Sequence, residues 1–254
     1  SMPRSATQPW FTIGVNTFTV GVLLNNLTVL MQLLVCVIAL PVHIYSRAYM
    51  KDDPGIHRYW MYLSLFCFAM LGLCISKNLF MMYIFWELVG FASYLLIGFW
   101  FTKESAVQAN KKAFIVNRIG DLGFLIGIFI LAYASGTLEF DGIKKMLEFN
   151  NASVNQSFYS IAALCLFIGA CGKSAQLPLA TWLPDAMAGP TPVSALIHAA
   201  TMVTAGIFMI TRMNFLFDIT PEIQNVIAIV GAITAIVAAS IGLPFSFCRT
   251  PVIL

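Results

Sequence analysis

Charge is scarce in this sequence. Only 10% of its 254 residues are Asp, Glu, Lys or Arg, against roughly a quarter in soluble domains. With 59% hydrophobic residues and a mean hydropathy of +0.85, a water-soluble fold of this length could not hide its apolar surface. A bilayer accepts it. The formal net charge of +3 and the lack of any basic run exclude nucleic-acid binding. Six cysteines are present, none in CxxC spacing; they read as small buried hydrophobes rather than a metal site or disulfide framework. Signal-peptide layout is also missing, since Ser1 to Trp10 is polar and lacks the charged-then-apolar order.

What is present is a series of long apolar runs. A bilayer span takes about 20 largely apolar residues, and the runs 22–46, 59–76, 78–101, 108–134, 157–183, 192–213 and 221–243 meet that need. The fold class is therefore all-α, a polytopic transmembrane bundle of about seven spans. Five stretches organise it: an interfacial N-terminal segment at 1–21, two spans over 22–76, a core over 78–213, a last span at 221–243 and a tail at 244–254. Trp10 to Thr19 alternates aromatic and polar residues and reads as an interfacial strand or loop. Glu139, Phe140, Asp141, Ile143, Met146 and Leu147 give the 135–156 linker the look of a short surface helix. The sequons at Asn151 and Asn155 read as accidental. Loop Lys and Arg residues weakly favour one side as cytoplasmic, with Arg47, Lys51, Arg58, Lys103, Lys111, Lys112 and Arg249 there and Arg4, Lys77, Lys144, Lys145 and Arg212 opposite.

Three ionisable groups sit deep within apolar surroundings: Glu87, Lys173 and His198. A charge at membrane depth costs at least about 2.5 kcal/mol, so such residues face a partner or water. A static Glu87–Lys173 ion pair is the structural reading, but an apolar pair would generally hold two helices as well. Pro178 lacks an N–H and its ring clashes with the carbonyl of Ser174, and Pro184 follows. The segment from Gly172 to Pro178 is thus expected to be a broken helix. Inside a membrane, broken backbone is tolerated where it is buried in protein or lines a watery cavity, and it marks ion sites in transporters. His198 shares a helical face with Ser194 and Thr201, at i−4 and i+3, on a helix that Thr191 can cap with Pro192 in its first turn. That polar stripe fits a proton relay. Asp121 follows Arg118 by three residues, which gives a local ion pair by default or a charge that helps bring protons to Lys173. His43 and His57 fall at a span end and in a loop, and read as interface anchors.

These residues carry a resemblance. The run Gly172-Lys173-Ser174-Ala175-Gln176-Leu177-Pro178-Leu179, the stretch from Gly189 to Gly206 containing His198, Trp86-Glu87, Ser93 to Phe99 and Asn117-Arg118-Ile119-Gly120-Asp121 resemble the antiporter-like membrane subunits of respiratory complex I, in bacteria the subunit L family of NADH-quinone oxidoreductase. The resemblance implies one five-helix antiporter-like repeat with its broken helix near Lys173 and Pro178. It also implies roles: Glu87 as the characteristic carboxylate, Lys173 as the proton-carrying lysine, His198 as the relay onward and Asp121 as the acid that modulates the lysine. Arg118, Ser194, Thr201 and Pro178 support them. Ala180 departs from the His or Gln of many relatives. After Leu243 the sequence leaves the family pattern, as a truncated reading frame would.

The function so implied is proton translocation within a proton-pumping NADH:quinone oxidoreductase. Desolvation disfavours the Lys173 ammonium and the Glu87 carboxylate favours it, so neutralising Glu87 would switch the lysine between holding and releasing its proton. No redox chemistry, cofactor or metal is expected on this chain; NADH, FMN, iron–sulfur clusters and quinone belong to partner subunits. The expected partners are other complex I membrane subunits, above all the neighbouring antiporter-like one, and lipid. The expected location is the bacterial inner (plasma) membrane. The rivals are an Mrp-type Na⁺(K⁺)/H⁺ antiporter subunit using the same residues, and a truncated fragment that transports nothing.

Overall fold

A computed structural model describes residues 4–13, 16–149, 156–199 and 201–248. The N-terminal stretch is a hairpin of two antiparallel strands, β1 (Arg4–Ile13) and β2 (Asn16–Leu24), in register from Arg4 opposite Leu24 to Ile13 opposite Asn16, with an irregularity between Pro9 and Phe11. Phe11 stacks on Phe18 at 4.7 Å, and Phe18 meets Phe80 at 4.9 Å. The first span therefore starts later than the hydropathy run at 22. Asn25 turns the chain in an extended conformation and its side chain accepts the Thr28 N–H at 2.8 Å, which caps helix α1 (Asn26–Tyr49).

Helices α2 (Ile56–Ile75), α3 (Leu79–Ile97) and α4 (Glu104–Ser135) follow as an up-and-down array with short connections. Asn78 does two jobs at the start of α3. Its side-chain oxygen accepts the Met81 N–H at 2.7 Å and its amide donates to the Thr19 carbonyl at 2.6 Å, docking the hairpin on the bundle. The amphipathic linker forms α5 (Phe140–Phe149), with Phe140, Ile143 and Leu147 buried and Lys144 and Glu148 exposed. The asparagines of the two sequons, Asn151 and Asn155, lie outside the described residues.

The second half is broken twice. Helix α6 (Gln156–Lys173) stops at Lys173, and the path continues through 3-10 turns at Leu179–Trp182 and Asp185–Ala188. The expected 192–213 span is not one rod but α7 (Thr191–Ala199) and α8 (Met202–Arg212), joined at Thr201 in a non-helical conformation. No proline or glycine stands at that junction. The Thr201 hydroxyl donates to the Leu196 carbonyl at 2.6 Å, and the Thr201 carbonyl accepts both the Ala205 N–H at 3.1 Å and the Thr204 hydroxyl at 2.9 Å, so a side chain takes up a carbonyl of α7 while the Thr201 carbonyl opens α8. Pro190 supplies the carbonyl that accepts the first N–H bonds of α7, while the Thr191 hydroxyl meets Tyr49 at 3.3 Å. After α9 (Asn214–Asp218), α10 (Pro221–Cys248) runs on through the predicted end at 243.

Among the described residues, six stretches are long and apolar enough to cross a bilayer: α1, α2, α3, α4, the α7–α8 tandem and α10 up to Ile241. The fold is an all-α multi-pass membrane bundle. The expected seventh span, at α6, is cut short at Lys173. Arg212 also corrects the charge tally. It is not in a loop but buried, donating to the Thr28 hydroxyl at 2.7 Å and the Cys74 carbonyl at 3.1 Å, with its guanidinium 5.0 Å from the Phe208 ring.

Candidate functional site

The core of the site rests on how closely α4 and α6 approach. Glycines make that possible: a Cβ on Gly120 would lie 3.0 Å from the Gly172 Cα, and one on Gly123 would lie 2.9 Å from the Ile168 side chain. Small residues let backbones meet in a membrane, where packing rather than the hydrophobic effect joins helices. This contact sets Asp121 of α4 beside Lys173 of α6.

Helix α6 ends by a specific device. Ala175 takes a left-handed conformation at φ 49°, and the Gln176 N–H reaches back to the Cys171 carbonyl at 3.0 Å. That is the Schellman arrangement, with alanine where glycine is usual. The helix therefore ends at Lys173, well ahead of Pro178. Three further contacts fasten the broken segment. The Ser174 hydroxyl donates to the Val203 carbonyl at 2.7 Å, the Leu177 N–H donates to the Thr234 hydroxyl at 3.1 Å, and the Trp182 indole donates to the Gly172 carbonyl at 2.9 Å. The turn at Ser174 and Ala175 is thus buried in protein, as broken backbone in a bilayer must be, while Gln176 and Leu177 are half-buried and Pro178 is exposed.

Lys173 is completely buried and Asp121 nearly so. The Lys173 ammonium donates to Asp121 Oδ2 at 3.3 Å, and the other carboxylate oxygen, Oδ1, accepts the Trp86 indole N–H at 2.7 Å. Arg118 lies 3.9 Å from the same Oδ2, and its Nη1 forms an ion pair with Glu87. The four charges therefore form one chain, Glu87–Arg118–Asp121–Lys173. It runs from the partly exposed Glu87 and Arg118 to the buried Asp121 and Lys173. The static Glu87–Lys173 pair, the plain structural reading set aside above, is not formed: α4 packs against both α3 and α6, so its Arg118 and Asp121 stand between the two. The local Arg118–Asp121 pair is present, but Asp121 sits closer to Lys173.

The His198 imidazole and the Trp182 ring have their centroids 6.2 Å apart. Both of its ring nitrogens, the Ser194 hydroxyl and the Gln176 side-chain oxygen are buried and accept or donate no hydrogen bond within the described residues. Buried polar atoms without protein partners call for water. Thr201 does not extend this polar stripe, because its hydroxyl is committed to the Leu196 carbonyl and the helix breaks before it. Sequence reasoning missed Trp86 and Trp182 as polar participants. The usable signal was that a buried indole N–H nearly always finds an acceptor.

With this geometry in view, the comparisons have a clear direction. Residues 76–245 match the family described as NADH:quinone oxidoreductase/Mrp antiporter, TM, and residues 10–60 match the N-terminus of chain 5 of NADH-ubiquinone oxidoreductase (complex I). The chain is 52% identical over 228 residues to NAD(P)H-quinone oxidoreductase subunit 5, chloroplastic, of Marchantia polymorpha, covering 88% of this chain and 33% of that protein. It is 48% identical over 236 residues to NAD(P)H-quinone oxidoreductase chain 5 of Synechocystis sp., covering 92% and 35%. Among solved structures it is similar to a chain of the Mrp complex from Dietzia sp., with a TM-score of 0.75 and 29% identity over 83% of this chain and 23% of that one. The chain spans about a third of the length of the first two relatives. Both are designated subunit or chain 5 rather than subunit L.

Proposed function

The chain belongs to the NADH:quinone oxidoreductase/Mrp antiporter family of membrane proteins, and from that premise we propose that it moves protons as the subunit 5 counterpart of an NAD(P)H:quinone oxidoreductase. One observation carries this reading: a fully buried lysine, held by a single buried carboxylate, at the end of a helix that stops inside the bundle. A hydrophobic pair would hold two helices at less cost, so a charge pair here is a feature to be explained by function.

Each residue has a part. Glu87 and Arg118 form the outer pair, and Arg118 lies within reach of both Glu87 and Asp121. A change in the charge of Glu87 would alter how strongly Arg118 engages Asp121, and through it how firmly Asp121 holds the Lys173 ammonium. Lys173 carries the proton. Water ordered on Gln176, Ser194 and His198 would take it past Trp182. Pro178 and the Schellman turn keep the end of α6 open, and Thr201 holds the second break. The order Glu87 to Lys173 to His198 is kept, with Arg118 and Asp121 inserted between the first two.

Electron transfer belongs to partner subunits carrying NADH, FMN, iron–sulfur clusters and quinone, and the neighbouring antiporter-like subunit is the natural partner within the membrane. The location is an energy-coupling membrane. The chloroplastic and cyanobacterial relatives extend the expected bacterial inner membrane to include the thylakoid. The likeness to the Mrp complex supports a second reading, a cation/proton antiporter subunit, but higher identity to quinone oxidoreductase subunits and the chain 5 match at residues 10–60 favour the first. The test is proton uptake by vesicles holding the assembled complex. Uptake driven by NAD(P)H and a quinone without a Na⁺ or K⁺ gradient is expected. Uptake that needs such a gradient and ignores NAD(P)H would transfer the chain to the antiporter reading.

A further inference from the structure

The seat of the Lys173 ammonium has three sides, and one of them is an absence. Asp121 Oδ2 stands 3.3 Å away, the Trp86 ring lies 5.9 Å away, and the backbone of α3 at Gly90 closes the third side. A Cβ on Gly90 would lie 2.5 Å from Lys173 Nζ, 3.9 Å from its Cε and 3.9 Å from Asp121 Oδ2. No other heavy atom presses on that position. Gly90 is helical and needs no unusual backbone angle, so its use is space alone. Placed mid-helix in α3, it costs about 0.5–1 kcal/mol relative to alanine, which sets the packing gain against a propensity loss.

We infer that Gly90 is a positioning residue for proton transfer: its missing side chain makes the hole in which the Lys173 ammonium rests against Asp121. Glu87 and Gly90 are three residues apart and therefore share a face of α3. One helix thus presents the outer carboxylate and, one turn on, the floor under the lysine. Any side chain at residue 90 takes the place of the ammonium and displaces it from Asp121. Unlike Gly120 and Gly123, whose absent Cβ atoms make room for neighbouring helix backbone or an isoleucine, Gly90 makes room for the reacting group.

This inference rests on the proton-transfer reading above, and the experiment separates the two. Gly90→Ala, Lys173→Ala and the double variant are made in the assembled complex, with NAD(P)H-driven proton uptake measured beside quinone reduction. Gly72→Ala serves as the packing control, because a Cβ there would press on the Phe85 ring and on no charged group. Gly90→Ala is expected to lower protons moved per quinone reduced at least threefold, and to shift the Asp121 carboxylate stretching band in infrared difference spectra. Gly72→Ala should change neither. If Gly90→Ala blocks assembly, the double variant restores it, because removing the lysine side chain vacates the space. Normal uptake and an unshifted band in Gly90→Ala, or, where Gly90→Ala fails to assemble, a double variant that fails as well, overturns the inference about Gly90. Normal uptake in Lys173→Ala overturns the reading beneath it.

Discussion

Replacing Trp86 with Phe should uncouple proton movement from quinone reduction without unfolding the bundle. The indole N–H donates to Asp121 Oδ1 at 2.7 Å, and both residues are buried. A hydrogen bond to a charged group contributes about 1.5–3 kcal/mol, and a buried site offers no solvent to replace it. At about 1.4 kcal/mol per factor of ten, that is a roughly 10- to 150-fold change in the preference that keeps Oδ2 facing Lys173. Phe retains most of the ring packing against Phe124, whose centroid is 4.8 Å away. Phe124→Leu is the matched control, since it reduces packing on Trp86 and Tyr83 but leaves the donor. Dye-reported proton uptake in vesicles, normalised to quinone reduction, should fall several-fold for Trp86→Phe and stay near wild type for Phe124→Leu. Equal losses in the two variants, or full uptake in Trp86→Phe, would refute the claim that the indole orients Asp121.

Two other sites give sharp expectations. Thr28→Val removes the acceptor nearest the buried Arg212 guanidinium and should cost roughly 1–3 kcal/mol in thermal or denaturant unfolding. Arg212→Met, which removes the charge as well, should cost less, because among the described residues no carboxylate pairs with Arg212. A larger loss for Arg212→Met than for Thr28→Val would contradict this ordering. Thr234→Val removes the hydroxyl that accepts the Leu177 N–H; hydrogen exchange at Leu177 should quicken by about tenfold, the equivalent of about 1.4 kcal/mol, and an unchanged rate would show that α10 does not fasten the broken segment.

The spans and the first break were legible because both come from strong local signals. Hydropathy gave six of the seven expected spans to within about five residues, the exception being 157–183, which stops at Lys173, and Pro178 announced a broken helix. Its true end was hidden, since Ala175 fills a left-handed position that sequence assigns to glycine. The hairpin was only half visible: Trp10 to Thr19 alternates like a strand, but its apolar second strand from Val20 to Leu24 merges with the hydropathy run of α1. The break at Thr201 left no mark, because threonine hydroxyls rather than proline accommodate it. The candidate site residues stand out individually as charges out of place. The resemblance tied Asp121 to the lysine, but the chain through Arg118 was not legible, because it depends on the closeness of Gly120 to Gly172, which sets Asp121, not Glu87, against Lys173. Arg212 shows the opposite error, a charge placed in a loop by its position at a span end that in fact packs into the core.

The most direct measurement is the number of protons moved per quinone reduced in the assembled complex carrying Lys173→Ala, compared with wild type in the same vesicles. Quinone reduction that continues while proton uptake falls well below wild type is the predicted result. An unchanged proton-to-quinone ratio would contradict the account, leaving Lys173 and Asp121 as a buried pair that only holds two helices together.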